Sequence, residues 1–376
     1  MSHSVAAGEI ALARPDITER EIEAVAAVLR GPNLSLGPKV PEFEQRFAEL
    51  CQTRHAVACN SGTSALHLLV RAMGIGAGDE VITTPFSFVA SSNCVIFEGA
   101  KPVFVDIDPE TWCIDPALIE AAVTPQTRAL IPVDVFGVTA DLDPIRAIAE
   151  RHHLRIIEDS CEAAGATYHG RPAGGLGDAG VFGFYPNKQL TTGEGGMIVT
   201  DDADLAGLAR SIRNQGRAAT AGWLAHERLG YNFRLSDINC ALGCVQVERL
   251  PEILSARQKV AEMYDARLAG EDRLIVQKTT PGCHKSWFVY VVRLADDFPP
   301  AARDRVLQGL RDQGIGCSNY FAPIHLQPFY QHDYGLKAGD FPVCERIAAR
   351  TVALPFHAFL TEAEVDRVVS AVQALL

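Results

Sequence analysis

Several signatures are missing from this sequence, and each absence removes a class of function. None of its ten cysteines forms a C-x-x-C pair, so the commonest zinc and dithiol motifs are excluded. Most stand in apolar runs, as Cys59, Cys94 and Cys244 do, where buried free thiols in a reducing compartment are a simpler reading than a disulfide set. No apolar run reaches the roughly 18–20 residues of a membrane span. The opening, MSHSVAAGEIALARPD, is not a charged leader followed by an apolar stretch. Positive charge is in deficit: 34 Lys and Arg against 46 Asp and Glu give a net charge of −12. A general nucleic-acid binder would need a basic footprint. No repeat or low-complexity segment is visible. The expectation is a cytoplasmic protein with no membrane or nucleic-acid partner and no metal site.

What is present reads as a globular chain. At 376 residues it is too long for one ordinary domain. Thr18 and Glu21 form a capping-box pair, with Ile22, Val25 and Leu29 following at helical spacing. Gly31-Pro32-Asn33 stops that helix. From about residue 55 to 200, β-rich runs alternate with amphipathic stretches such as Leu66, Leu69, Val70 and Met73. The strand candidates are 56–59, 80–84, 102–107, 129–135, 155–159, 180–184 and 196–200. Such alternation predicts an α/β fold: a mainly parallel seven-stranded sheet flanked by helices. Residues 203–265 read as mostly helical, broken at Gly230-Tyr231-Asn232. Beyond them, a strand at 287–294 and helices at 303–314 and 361–376 predict a smaller C-terminal α+β domain. The division is expected at 1–250 and 251–376, within the helix that contains Pro251.

In a parallel sheet of this kind, ligands bind beyond the carboxyl ends of the strands. The first strand runs into Asn60-Ser61-Gly62-Thr63-Ser64 and then a helix. That turn presents backbone N–H groups at the positive end of a helix dipole, a ready anion site. It is also an ordinary N-cap turn, because Ser and Thr favour that position. The fifth strand ends in Asp159. A carboxylate there is poorly solvated and wants a cationic or donor partner, although capping the next helix would satisfy it equally well. After the sixth strand comes Lys188, followed by the glycine-rich turn Gly193-Glu194-Gly195-Gly196. A lone lysine is usually a solvated surface group. One desolvated at a pocket loses its proton and forms imines with carbonyls.

The three features together are more specific than their parts. An imine-forming lysine, an acid beside a pyridinium and an anion hole are what pyridoxal-phosphate (PLP) chemistry requires of a protein. With these residues in view, the chain resembles the DegT/DnrJ/StrS family of nucleotide-sugar aminotransferases, which share the aspartate-aminotransferase-like fold. The likeness includes Leu36-Gly37-Pro38, Asn60 to Leu66, Gly78-Asp79-Glu80, Gly99 to Asp106, Glu158-Asp159 and Asn187-Lys188. Gly230 to Leu235 and Pro323 to Leu326 continue it.

The resemblance implies roles residue by residue. Lys188 matches the Schiff-base lysine that also shuttles the proton, and Asp159 the partner of the pyridine nitrogen. Gly62 and Thr63 match the phosphate-binding amides. Phe88 matches the aromatic that stacks on the cofactor, with core packing as the alternative. Asn232 matches a residue reaching a phosphate in the neighbouring subunit, which implies a homodimer with shared active sites. His325 lies in the segment that lines the sugar pocket, or is structural. Arg234 is a candidate for the donor carboxylate. Two departures stand out: Gly183 replaces a phosphate-binding Ser, and Glu162 stands where Gln or His is common. A carboxylate at that place would have to share or hold a proton, and some perosamine-forming members look similar there. The implied function is transfer of an amino group, from L-glutamate, to a keto-sugar nucleotide (a 4-keto-6-deoxy sugar) by ping-pong Schiff-base chemistry in polysaccharide biosynthesis. A cyclitol ketone is an alternative acceptor. The family's sugar dehydratases replace the lysine with histidine, and a non-catalytic PLP-binding regulator would leave Lys188 idle.

Overall fold

The structure, a computed structural model, describes residues 8–218, 225–299 and 301–376. Two helices, α1 (Glu19–Arg30) and α2 (Lys39–Cys51), precede the sheet. The capping box of α1 forms as expected, with Thr18 and Glu21 exchanging hydrogen bonds. Its apolar stripe does not behave as expected, for Ile22 and Leu29 are 52% and 58% exposed while Glu21 is buried. Glu21 is instead held inward by buried Arg249 at 2.7 Å, and Val28 is the buried apolar residue of the helix.

Strand and helix then alternate through β1 (His55–Cys59), α3 (Gly62–Ala72), β2 (Glu80–Thr83), α4 (Ala90–Ile96) and β3 (Lys101–Phe104). The series continues with α5 (Pro116–Ala122), β4 (Thr127–Ile131), α6 (Leu142–His152) and β5 (Arg155–Asp159). It closes with β6 (Ala179–Gly183) and β7 (Gly196–Thr200). The strand expected over 129–135 ends at Ile131 because Pro132 has no N–H to extend the ladder. All seven strands form one sheet in the order β1-β7-β6-β5-β4-β2-β3. Only β7 runs antiparallel, against β1 and β6. The strands are therefore buried on both faces, as parallel sheets require. Val57, Val181 and Ile198 meet α3 and α7 (Ala203–Arg213) on one side. Ala58, Phe182 and Met197 meet Phe43 and Phe47 of α2 on the other. Each such buried phenylalanine contributes roughly 1.5–3 kcal/mol by leaving water.

The helical reading of 203–265 holds at both ends, and the expected break at Gly230-Tyr231-Asn232 falls between two helices. Helix α7 ends at Arg213, and α8 (Asp237–Leu268) begins only after Ser236 caps it. Tyr231 and Phe233 between them bond to main-chain carbonyls of Ile212 and Arg213 rather than within a helix. Residues 219–224 of that stretch, like 1–7 of the opening, lie outside the described residues. Helix α8 is 32 residues long and runs through Pro251, so the expected division near residue 250 falls within this helix. Its first half packs Cys240, Cys244 and Leu250 against α2 and the sheet. Its second half gives Val260, Tyr264 and Leu268 to a separate core. That core contains the antiparallel sheet β8 (Leu274–Val276), β9 (Tyr290–Leu294) and β10 (Thr351–Leu354). The helices α9 (Ala301–Asp312), α10 (Pro328–Tyr334), α11 (Pro342–Ala348) and α12 (Glu362–Leu375) complete this part of the chain. Ile10 joins the same core through a bridge to Ile315, so the N-terminal segment packs with the C-terminal part.

Candidate active site

Register brings the chemically distinctive residues to one edge of the sheet. Gly196 faces both Cys59 of β1 and Gly183 of β6, so these strand ends lie side by side. Asp159 pairs with Val181 on the adjoining strand. Close approach is enforced by glycine, since a Cβ on Gly196 would fall 2.3 Å from the Ser61 carbonyl oxygen. Beyond this edge lies a cavity of about 570 Å³, lined by Gly62, Thr63, Phe88, Asp159, Glu162 and Lys188, among others. The volume is that of a cofactor or small-molecule pocket.

Glu158 and Asp159 separate by the alternation of a strand. The Glu158 carboxylate turns away from the cavity and accepts the N–H groups of Gly174, Leu176 and Gly177. Asp159 turns toward it. Its Oδ2 accepts Ser91 Oγ at 2.7 Å and its Oδ1 the Cys161 N–H at 3.3 Å, which fixes the carboxylate plane and leaves acceptor capacity facing the cavity. At the foot of α3, Ser61 caps the helix by accepting the Ser64 N–H at 3.0 Å. The N–H groups of Gly62 and Thr63 have no intrahelical acceptors, as in any first helical turn, and they border the cavity. Phe88 is 63% exposed, so its ring is a wall of the cavity and not part of the core.

Lys188 is held from several sides. Its Nζ lies 3.3 Å from Glu162 Oε1 and 4.0 Å from the centre of the Phe288 ring. Arg257 donates to its main-chain carbonyl at 3.1 Å. Glu162 also accepts the Phe136 N–H at 3.0 Å. Burial pushes the Glu162 carboxyl above the usual carboxylate range, and the nearby Lys188 ammonium offsets part of that push. A carboxyl in that position is poised to hold a proton. At Gly183, a Cβ would make only ordinary contacts of 3.5 Å with Cys161, so the wall is open where the resemblance expects a serine hydroxyl.

Three expected site residues do not border this cavity. The His325 ring is fully buried, bonds Glu345 at 3.0 Å through Nε2 and meets Phe341 edge-on, away from the cavity. Arg234 donates to Asn214 Oδ1 at 2.9 Å, and Asn232 is exposed in the segment next to it. Tyr231 and Phe233 on either side of Asn232 stack on each other at 4.7 Å, so Asn232 points away from the pair. Conversely, Ser91, Phe288, Tyr320 and Phe321 line the cavity without having been singled out in the sequence. Phe288 sits in the run WFVYVV, which reads only as a strand.

The residues fit a pyridoxal phosphate. A carboxylate with free acceptor capacity, an amine, an unfilled helix N-terminus and an exposed ring converge on one space, where the buried Asn187 Oδ1 also lacks a partner. Among the described residues no group of three or more potential ligands could hold a metal ion, and no helix is long and apolar enough to cross a membrane.

Comparison with known proteins points the same way. The profile of the DegT/DnrJ/EryC1/StrS aminotransferase family matches residues 15–373. The chain is 44% identical over 347 residues to GDP-perosamine synthase of Caulobacter vibrioides, covering 91% of each. It is 38% identical over 372 residues to the spore coat polysaccharide biosynthesis protein SpsC of Bacillus subtilis, covering 96% of each. Among solved structures, S. venezuelae DesV in complex with a ketimine intermediate superposes with a TM-score of 0.88 at 36% identity, over 95% of this chain and 94% of that one. Helicobacter pylori PseC, an aminotransferase involved in the biosynthesis of pseudoaminic acid, gives 0.93 at 28% identity, over 98% and 99%.

Proposed function

Because the chain belongs to the DegT/DnrJ/EryC1/StrS aminotransferase family and is a PLP-dependent aminotransferase, we propose that it transfers an amino group from L-glutamate to a keto-sugar nucleotide, a 4-keto-6-deoxy sugar. The observation that carries this reading is the convergence of Lys188, Asp159 and the α3 N-terminus on one cavity. The name of the 44% identical relative supports a nucleotide-linked sugar as acceptor. Glu162, in place of Gln or His, supports the 4-keto-6-deoxy class.

Pyridoxal phosphate supplies an electron sink and a carrier for the amino group. This chain's residues supply the rest. Lys188 Nζ would hold the cofactor; once displaced by the donor's amine, it would carry the proton from the donor's α-carbon to the cofactor, and in the second half-reaction carry one in the reverse direction to the acceptor carbon. Asp159, its plane fixed by Ser91, accepts the pyridinium N–H and keeps that nitrogen protonated. The Gly62 and Thr63 amides hold the phosphate, and Phe88 covers the ring. Phe288 and Phe321 keep the Lys188 side of the cavity apolar, which strengthens every charge interaction inside it. Asn232, exposed and pointing away from the Tyr231–Phe233 pair, would reach the phosphate in a partner subunit, which makes the working unit a homodimer. All ten cysteines are free, which supports a reducing, cytoplasmic setting.

The test is an absorbance spectrum of the purified protein with bound PLP, repeated after L-glutamate and then after a 4-keto-6-deoxy sugar nucleotide. Glutamate should shift the band and release 2-oxoglutarate, and the keto-sugar should restore the band. A band that glutamate leaves unchanged contradicts the donor. A band that the keto-sugar fails to restore contradicts the acceptor.

A further inference from the structure

Helix α8 carries two buried arginines eight residues apart, and they are treated differently. Arg249 meets Glu21, Asp16 and Glu252 within 3.2 Å. Arg257, only 3% exposed, has no carboxylate at ion-pair distance among the described residues. Its donors go to main-chain carbonyls instead: Nη1 to Phe288 at 3.0 Å and Nη2 to Lys188 at 3.1 Å. Its Nε is buried without a partner. A buried cation without a counter-ion is costly, and removing it would ordinarily stabilise the fold.

The groups around it do not cancel the charge. Asp16 is engaged by Arg249 at 2.8 Å. His357, beyond β10, is pushed down to about 4 by burial, against the pull of Glu364 and with help from Arg14 and Arg257, so it is neutral near pH 7. The Phe356 ring lies 5.6 Å away. Burial pulls the guanidinium itself down to about 10, which leaves it charged at neutral pH. On the Lys188 side stand Glu162 at 3.3 Å, Asp159, and two groups kept uncharged by burial, Cys161 and Tyr320.

We propose that Arg257 is a positioning residue for the reaction: its bonds to the main-chain carbonyls of Lys188 and Phe288 fix the Lys188 backbone against the wall formed by Phe288. A side chain that must reach a carbonyl carbon and then a proton depends on a fixed backbone origin, because small misplacements of a reacting group cost rate. This inference rests on the reading of Lys188 given above.

The experiment compares kcat, KM and the bound cofactor's absorbance band in the holoenzyme of wild type, R257K, R257Q and R257M. R257K and R257Q keep N–H donors, and R257M keeps none. In R257M kcat should fall about tenfold or more with KM near wild type and the band shifted, and R257K or R257Q should recover part of the loss. The two donor-keeping variants guard against R257M failing to fold. A folded R257M with wild-type kcat and an unshifted band, or donor-keeping variants no better than a folded R257M, would overturn the inference while leaving the proposed function intact. A wild type that binds PLP without any band would overturn both readings.

Discussion

Two buried ionic clusters, each a basic side chain against a buried glutamate, behave in opposite ways. At the junction of α1 and α8, Glu21 accepts from Thr18, Gln246 and Arg249, and Arg249 spends its remaining donors on Asp16 and Glu252. Burial pushes the Glu21 carboxyl up, yet those hydrogen bonds outweigh it and hold it at about 2. At the cavity, Lys188 and Glu162 meet at 3.3 Å with little else to satisfy them, and burial keeps the Glu162 carboxyl above its usual range. The first cluster has one stable charge state. In the second, burial is less fully offset, so the Glu162 carboxyl takes up a proton more readily than Glu21 does. The difference lies in the number of donors around each carboxylate, since both carboxylates are buried.

Substitutions can break this contrast, and the largest effect belongs to the cavity. Lys188→Ala should lower kcat on the order of 10⁴-fold or more, with a thermal midpoint close to wild type. Steady-state kinetics and a melting curve on the same preparation check both halves. Next, Arg249→Met should cost about 3–5 kcal/mol in urea unfolding, because Glu21 is left buried without its cation, while kcat/KM of the folded fraction stays within about twofold. A variant that loses activity without losing stability would merge the two clusters into one functional unit.

Acid titration gives a smaller effect with a defined sign. The folded-state pKa of Glu21 is depressed, so its stabilisation is present above about 4.5 and is lost as pH falls toward about 2. Urea midpoints followed from pH 6 to pH 3 should fall in wild type and fall less steeply in Glu21→Gln. Glu162 carries the opposite sign and the smallest effect. Its raised pKa favours the fold below the unfolded-chain value and loses that contribution as pH rises through the folded value. Glu162→Gln should therefore flatten this part of the stability profile above pH 4.5, read by thermal melts at stepped pH.

The sequence made the sheet legible because its strands are short apolar runs at regular spacing, and the carboxyl-edge rule then singled out Asp159, Lys188 and the Gly62-Thr63 turn. All of these now border the cavity. What it hid has physical causes. Ser91 is one serine among several at the start of a helix, and only folding brings its hydroxyl to Asp159. Phe288 and Arg257 come from segments beyond residue 250, whose local pattern records a strand and a helix but not what they face. The apolar stripe of α1 misled because periodicity cannot show that a glutamate will be held inward by Arg249. His325 and Arg234 rested on resemblance alone, and within the chain each is engaged elsewhere, by Glu345 and Asn214.

The most direct measurement asks which lysine carries the cofactor. The chain offers a competitor in Lys285, which lines a groove separate from the cavity. Burial pulls its amine down to about 7, and it lies 3.9 Å over the Trp287 ring beside an open groove. Protein with bound PLP would be reduced with borohydride, digested and mapped by mass spectrometry. The account predicts one phosphopyridoxyl group per chain, on Lys188, and none in Lys188→Ala. The same label on Lys285, or a chain that carries none, would contradict it.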